Sequence, residues 1–314
     1  MGKTLYLECS AGISGDMSVA ALLDLGADES ALRAALASLP AKGFSIRTSR
    51  VKKSGLDACD FDVVLDAAHE NHDHDMAYLY GTPDQAAACE HDHGHDHEEI
   101  HDHPGEPEHS HDHAHPHGHH DGHDRTHDNP HDHEHQHAYN HHEHRSLTDV
   151  FAVVDAADIT PGARSVAHRV FDVLADAEAA AHGVPRDEVH FHEVGAIDSI
   201  VDVVAFAVCF DDLGIDEVVV RELCEGEGSV RCQHGIMPVP VPAVANIVSA
   251  NGIPLRIVDV QGELVTPTGA AIAAAVRTRA DLPERFIIKR VGLGAGKRDY
   301  ATSGVLRAML IEEA

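Results

Sequence analysis

Between positions 69 and 144 the chain carries 25 of its 30 histidines and 19 acidic residues against one basic residue, Arg125. A stretch of this composition, interleaved with Gly and Pro and nearly free of aliphatic side chains, cannot bury enough apolar surface to offset the entropy of ordering it. It is therefore expected to be a disordered, metal-binding insertion over 69–145. Any fold must then be assembled from two flanking pieces, 1–68 and 146–314, that belong to one α/β domain. The tract also distorts the charge: it holds −18 of the net −30, leaving a mildly acidic remainder. No basic stripe exists to neutralise phosphates along a duplex, which argues against nucleic acid as a partner. No run of ~20 apolar residues predicts a membrane span. Lys3 leads into the strand-like TLYLE instead of an apolar signal segment, and the six cysteines form no CxxC pair. A reducing, cytoplasmic setting is the expectation.

Outside the tract the patterning alternates between strand and helix without a strict βαβ rhythm, which predicts a mixed sheet packed with helices, α/β or α+β. KTLYLECSAGISGDMSVAALLDLG reads as strand, glycine-containing loop and helix, stopped by Gly26. Residues 30–39 read as a second helix, and FSIRTSRVKK and LDACDFDVVL as a hairpin about Ser54-Gly55. Thr160-Pro161 opens a helix whose apolar face runs from Val166 through Ala177 towards Gly183. VHFHEVG reads as strand then turn, and 196–213 as a helix. The remaining candidates are strands in DEVVVREL, GSVRCQHG, FIIKRVG and GVLRAMLIE, with helices over 243–250 and after Pro267.

Two kinds of metal chemistry are written into this chain. In the tract, His91, His93, His95 and His97, and again His111, His113, His115 and His117, offer imidazoles at i, i+2 spacing. Neutral imidazole suits Ni, Cu, Zn and Co, so these positions are expected to store metal. They cannot form a catalytic site, because nothing fixes their geometry. The second kind is VHFHEVGAIDSIVD, residues 189–202. On a strand His190 and His192 share a face; past Gly195, Asp198 and Asp202 stand at i, i+4 on a helix that is otherwise apolar all round. Such a helix is buried, so Asp202 requires a cation, a metal or hydrogen-bond donors. Asp198, in the first turn, also has an ordinary explanation in the helix macrodipole. His190, His192, Asp198 and Asp202 are candidate metal ligands, joined by His234 on the stiff segment before MPVPVP, and Glu193 is the candidate general base.

Three loops could bind phosphate, and each could equally be an ordinary turn. CSAGISGDM places Ser10, Gly12, Ser14, Gly15 and Asp16 before a helix, where backbone N–H groups attract anions. It lacks the Walker lysine and is not GxGxxG. TPTGAA offers Thr266 as N-cap, Pro267 at the first helical position, and N–H groups about Thr268 and Gly269. GLGAGKRD brings Lys297 and Arg298 to a glycine-rich strand end.

Taken in order, LYLECSAGISGDM, the histidine-rich insertion, VHFHEVGAIDSIVDVV, GEGSVRCQHGIMPVPVPA, GELVTPTGAAIA and GLGAGKRD resemble the LarC family of nickel insertion proteins over nearly the whole chain. The resemblance implies a nickel chelatase, a lyase, that uses CTP with Mg²⁺ or Mn²⁺. It would insert Ni²⁺ into pyridinium-3,5-bisthiocarboxylic acid mononucleotide, the pincer cofactor of lactate racemase, forming two Ni–S bonds and one Ni–C bond. The loops at 10–16 and 266–269 would then hold phosphates of CTP or of the pincer. Family members usually continue past GLGAGKRD into a second, C-terminal domain, so this chain resembles the N-terminal half and implies a separate C-terminal partner chain. Lactate racemase or a similar apoenzyme is the expected client, and homo-oligomeric assembly is expected. The alternative is a non-catalytic protein of nickel storage or delivery.

Overall fold

The computed structural model describes residues 2–66, 75–80, 145–191, 196–232 and 234–314. Strand β1 (Lys3–Glu8) leads through a short loop into α1 (Gly15–Leu25), and α2 (Glu29–Ala37) follows. The Asp28 carboxylate starts α2 by accepting from the N–H groups of Ser30 and Ala31, at 2.8 and 3.3 Å. Strands β2 (Phe44–Lys53) and β3 (Leu56–Leu65) form the expected hairpin, with Ser54 and Gly55 both at positive φ in its turn.

Within the stretch expected to be an insertion, Met76–Tyr80 forms a short helix, α3. Its sequence, MAYLY, is the one apolar cluster of that stretch, and Leu79 is buried. The Tyr80 hydroxyl lies 2.7 Å from that of Tyr300 and accepts the Glu263 N–H at 3.0 Å. The tract histidines 91–97 and 111–117, together with His192 and Glu193, lie outside the described residues.

After β4 (Arg145–Ser146), Ser146 and Asp149 cap α4 (Leu147–Ala156) reciprocally. Helix α5 (Pro161–His182) begins and ends as its sequence signals require: the Thr160 hydroxyl accepts the Ala163 N–H at 3.0 Å, and Gly183 closes it at φ 66°. Strand β5 is only His190–Phe191, paired with β4. Helix α6 (Ile197–Leu213) is followed by β6 (Ile215–Val219), β7 (Leu223–Glu227), β8 (Ser229–Cys232) and β9 (Gly235–Pro238). Then come α7 (Pro242–Ala250), β10 (Leu255–Gln261), α8 (Pro267–Val276), β11 (Phe286–Ala295) and β12 (Val305–Glu313).

The main sheet has the order β2-β3-β11-β12-β1-β6 and is mixed, with parallel pairs β3/β11 and β1/β6 among antiparallel ones. Strand β1, next to the edge strand β6, therefore has the chain's last strand, β12, on its other side. Helix α1 lies flat on β11: a β-carbon on Gly292 or Gly294 would come within 2.2 and 2.0 Å of the Ala21 and Met17 carbonyl oxygens. The GLGAG run thus serves close helix–strand packing. One continuous core joins β1, α1, α5, α6 and α8. Helix α6 is buried on nearly all sides, as its composition requires, and this buried helix carries Asp202 up to the N-terminus of α1.

Candidate functional site

Where α1, α6 and α8 meet, a cavity of about 300 Å³ opens. It collects eight of the residues proposed from sequence: Ser14, Gly15 and Asp16 from the first loop, Asp198 and Asp202 from α6, Thr266 and Thr268 from α8, and His234 from the β8–β9 turn. Lys297 and Arg298 line it as well. Four other candidates do not line it. Ser10 faces Glu8, its hydroxyl 3.3 Å from that carboxylate. His190 is exposed on β5. Gly12 and Gly269 are sites of close backbone approach, since β-carbons there would stand 2.1 Å from the Leu264 carbonyl oxygen and 2.2 Å from that of Ile13. The two loops are stitched together by Ile13 N–H donating to Leu264 O at 3.0 Å and Thr266 N–H to Ile13 O at 3.1 Å.

The start of α1 has the amide geometry that attracts anions, and the protein fills it with its own carboxylates. Asp16 Oδ1 accepts the Met17 N–H at 2.8 Å and the Ser14 hydroxyl. The Asp16 N–H in turn donates to Asp202. Gly15 makes this contact possible: a β-carbon there would stand 2.4 Å from Asp202 Oδ2. At α8 the Thr266 hydroxyl already occupies the Gly269 N–H, at 3.1 Å. Neither loop, as built, presents a free row of amides to a triphosphate.

Among the described residues, Asp16 and Asp202 have no positive partner of their own. Asp16 is 7% exposed, and its Oδ2 has no hydrogen-bond partner among the described residues; neither has Asp202 Oδ1. Burial, then the negative charges of Asp16 and Asp198, push the Asp202 carboxyl well above the usual carboxylate range; Lys297 pulls only partly the other way. Lys297 is divided among several acids, lying 2.5 Å from Asp60 and 3.4 Å from Asp62. Arg298 is held by Glu263 at 2.6 Å. The cavity floor is thus a place of negative potential, suited to a divalent cation or to a proton. Among the described residues no group of three or more His, Cys, Asp or Glu is arranged to hold a metal ion unaided. A cation here needs donors from a bound molecule.

A profile of the nickel insertion protein family matches residues 5–314. The chain belongs to that family. Named pyridinium-3,5-bisthiocarboxylic acid mononucleotide nickel insertion proteins include one from Alkaliphilus metalliredigens (strain QYMF), 46% identical over 314 residues that make up 100% of this chain and 61% of that one. The protein of that name from Lactiplantibacillus plantarum is 38% identical over 323 residues, 99% of this chain and 62% of its own. The one from Geobacillus kaustophilus is 33% identical over 313 residues, with 99% and 60% covered. This nickel insertion family chain therefore spans about three fifths of the length of these relatives. No solved structure matches it. No described helix is long and apolar enough to cross a membrane.

Asp62, Glu178, His182 and Arg231 are among the lining residues that the sequence did not mark. His182 ends α5, where a histidine reads as a dipole partner, and only the fold brings it to the cavity.

Proposed function

We propose that this cavity is where nickel, as cargo, is transferred to the pincer mononucleotide. The observation that carries the reading is the pair of buried oxygens, Asp16 Oδ2 and Asp202 Oδ1, which belong to two residues lining one cavity and have no donor among the described residues. Carboxylate oxygens are hard donors and bind nickel less firmly than thiolate or imidazole, which suits release better than storage. The missing donors come from the substrate, whose two thiocarboxylate sulfurs complete the coordination. As nickel(II) bonds to the ring carbon, that carbon gives up its proton and no oxidation state changes. A carboxylate whose pKa is raised by burial and neighbouring acids is a stronger base, and Asp202 is the candidate acceptor for that proton. Glu193 is the other candidate base. Arg231, Lys297 and Arg298 supply positive charge for the substrate's phosphate. CTP, with Mg²⁺ or Mn²⁺, takes no part in the steps proposed for this cavity. The product would serve lactate racemase or a similar apoenzyme.

The test is anaerobic incubation of the chain with pincer mononucleotide, Ni²⁺ and CTP, with and without a C-terminal partner chain, following nickelated product. Product is expected with the wild type and lost in Asp16→Asn and Asp202→Asn. Undiminished product in both variants would overturn the site. Nickel bound with no product under either condition would favour the storage and delivery reading.

A further inference from the structure

We infer that His182 and His234 form a two-imidazole nickel-binding point on the wall of the same cavity. The rings come from distant parts of the chain, one at the end of α5 and the other in the β8–β9 turn, yet their centroids lie 5.0 Å apart with planes 47° to each other. Both residues line the cavity. Two imidazoles sharing one first-row metal, with metal–nitrogen bonds near ~2.1 Å and an angle between right and tetrahedral, place their ring centres roughly 4.5–5.3 Å apart. The observed separation falls in that interval, and the tilt is unlike a face-to-face stack. One turn before His182 on α5, the Glu178 carboxylate lies 3.5 Å from His182 Nε2. A carboxylate so placed favours the tautomer with its hydrogen on Nε2, which leaves Nδ1 as the ligand nitrogen.

The donor type selects the metal. Neutral imidazole favours nickel, copper or zinc over magnesium and calcium. Two protein ligands alone hold a metal loosely enough for exchange. A nickel ion captured here would stand in the cavity that Asp16 and Asp202 also line, and its passage to them involves no redox change. Nickel capture by the pair stands on its own geometry, while its role as a step towards the floor rests on the function proposed above.

Nickel-dependent melting of the full chain tests it, because the tract histidines are common to every variant and cancel in the comparison. Nickel bound across α5 and the β8–β9 turn should raise the wild-type melting temperature by roughly 3–6 °C. His182→Ala and His234→Ala should each lose that increment, and the double variant should lose no more than either single one. Mg²⁺ should not replace nickel. His168→Ala, which removes an α5 imidazole that pairs with Asp155 away from the cavity, should keep the increment. Metal-free melting of each variant checks that it folds. A double variant with the wild-type increment would overturn the assignment, as would loss in only one of the two single variants. Repeating the series in Asp202→Asn separates the readings: the pair's increment should survive there even as metallation fails.

Discussion

Asp202 reaches across from α6 to lie against the α-carbon of Gly15, so close that a β-carbon there would stand 2.4 Å from its Oδ2 and 2.9 Å from its own β-carbon. Gly15→Ala should therefore push the carboxylate off the start of α1 while leaving both helices intact. Overpacking of this kind costs about 1–3 kcal/mol, and displacement of a reacting group by an ångström lowers metallation on the order of 100-fold. Thermal melting and single-turnover nickel insertion read the two effects. In Gly15→Ala/Asp202→Ala stability should return while activity stays lost. A fully active Gly15→Ala would mean that the contact does not position Asp202.

Asp202→Asn should make the metal-free protein at least as stable as the wild type at pH 7–8. The Asn side chain can still accept the Asp16 N–H, and it replaces the partnerless oxygen with a donor. The sign follows from the raised pKa: the stability that goes with the neutral carboxyl is complete below the unfolded value near 3.8 and is lost as pH rises through the higher folded value. The advantage of Asn should thus vanish in acid. Denaturant titrations of both proteins from pH 4 to 8 give the comparison, and a loss of several kcal/mol in the variant at pH 7.5 would point instead to a structural ion pair.

The extent of the insertion can be tested by excision. Replacing 81–144 with a flexible glycine-serine linker should lower nickel stoichiometry and keep a cooperative melt. Removing 72–144 should cost about 2–4 kcal/mol more, because it deletes buried Leu79 and the Tyr80 hydroxyl that meets Tyr300 and Glu263. Equal melting temperatures for the two deletions would show that α3 contributes nothing to the fold.

The parts of the fold that sequence makes legible are those with local causes. The Ser54-Gly55 turn, the Thr160 and Gly183 ends of α5 and the all-round apolar α6 each follow from a few neighbouring residues. Strand β10, LRIVDVQ, is harder to read because it is mostly exposed and mixes charge with β-branched residues. Pairing of β1 with β12 and β6 joins positions some 200 to 300 residues apart, which no local pattern encodes. The site divides the same way. The apolar surroundings of Asp202 mark it as exceptional, but its partner Asp16 sits 186 positions earlier in what reads as a phosphate loop. Gly12 and Gly269 belong to the same ambiguity: a glycine that lets a phosphate approach and one that lets a backbone approach are identical in sequence.

Glu225 offers a pH switch in stability apart from the cavity. Its Oε1 accepts from the N–H groups of Leu264, Gly226 and Val265 at 2.7, 2.8 and 3.1 Å, holding the segment that leads to Thr266, while Oε2 is buried without a partner among the described residues. Burial outweighs those three donors and pushes its pKa up to about 7. With a folded value above the unfolded 4.5, the stabilising contribution is complete below pH 4.5 and disappears as pH rises through 7. The interval corresponds to up to about 3 kcal/mol. Denaturant midpoints should accordingly fall between pH 6 and 8.5 in the wild type and change much less in Glu225→Gln, which keeps the acceptor and cannot ionise. Since Glu225 braces the loop of Thr266, hydrogen exchange at Leu264 and Val265 should quicken over the same range in the wild type alone. Parallel pH profiles for the two proteins would assign the titration to another group.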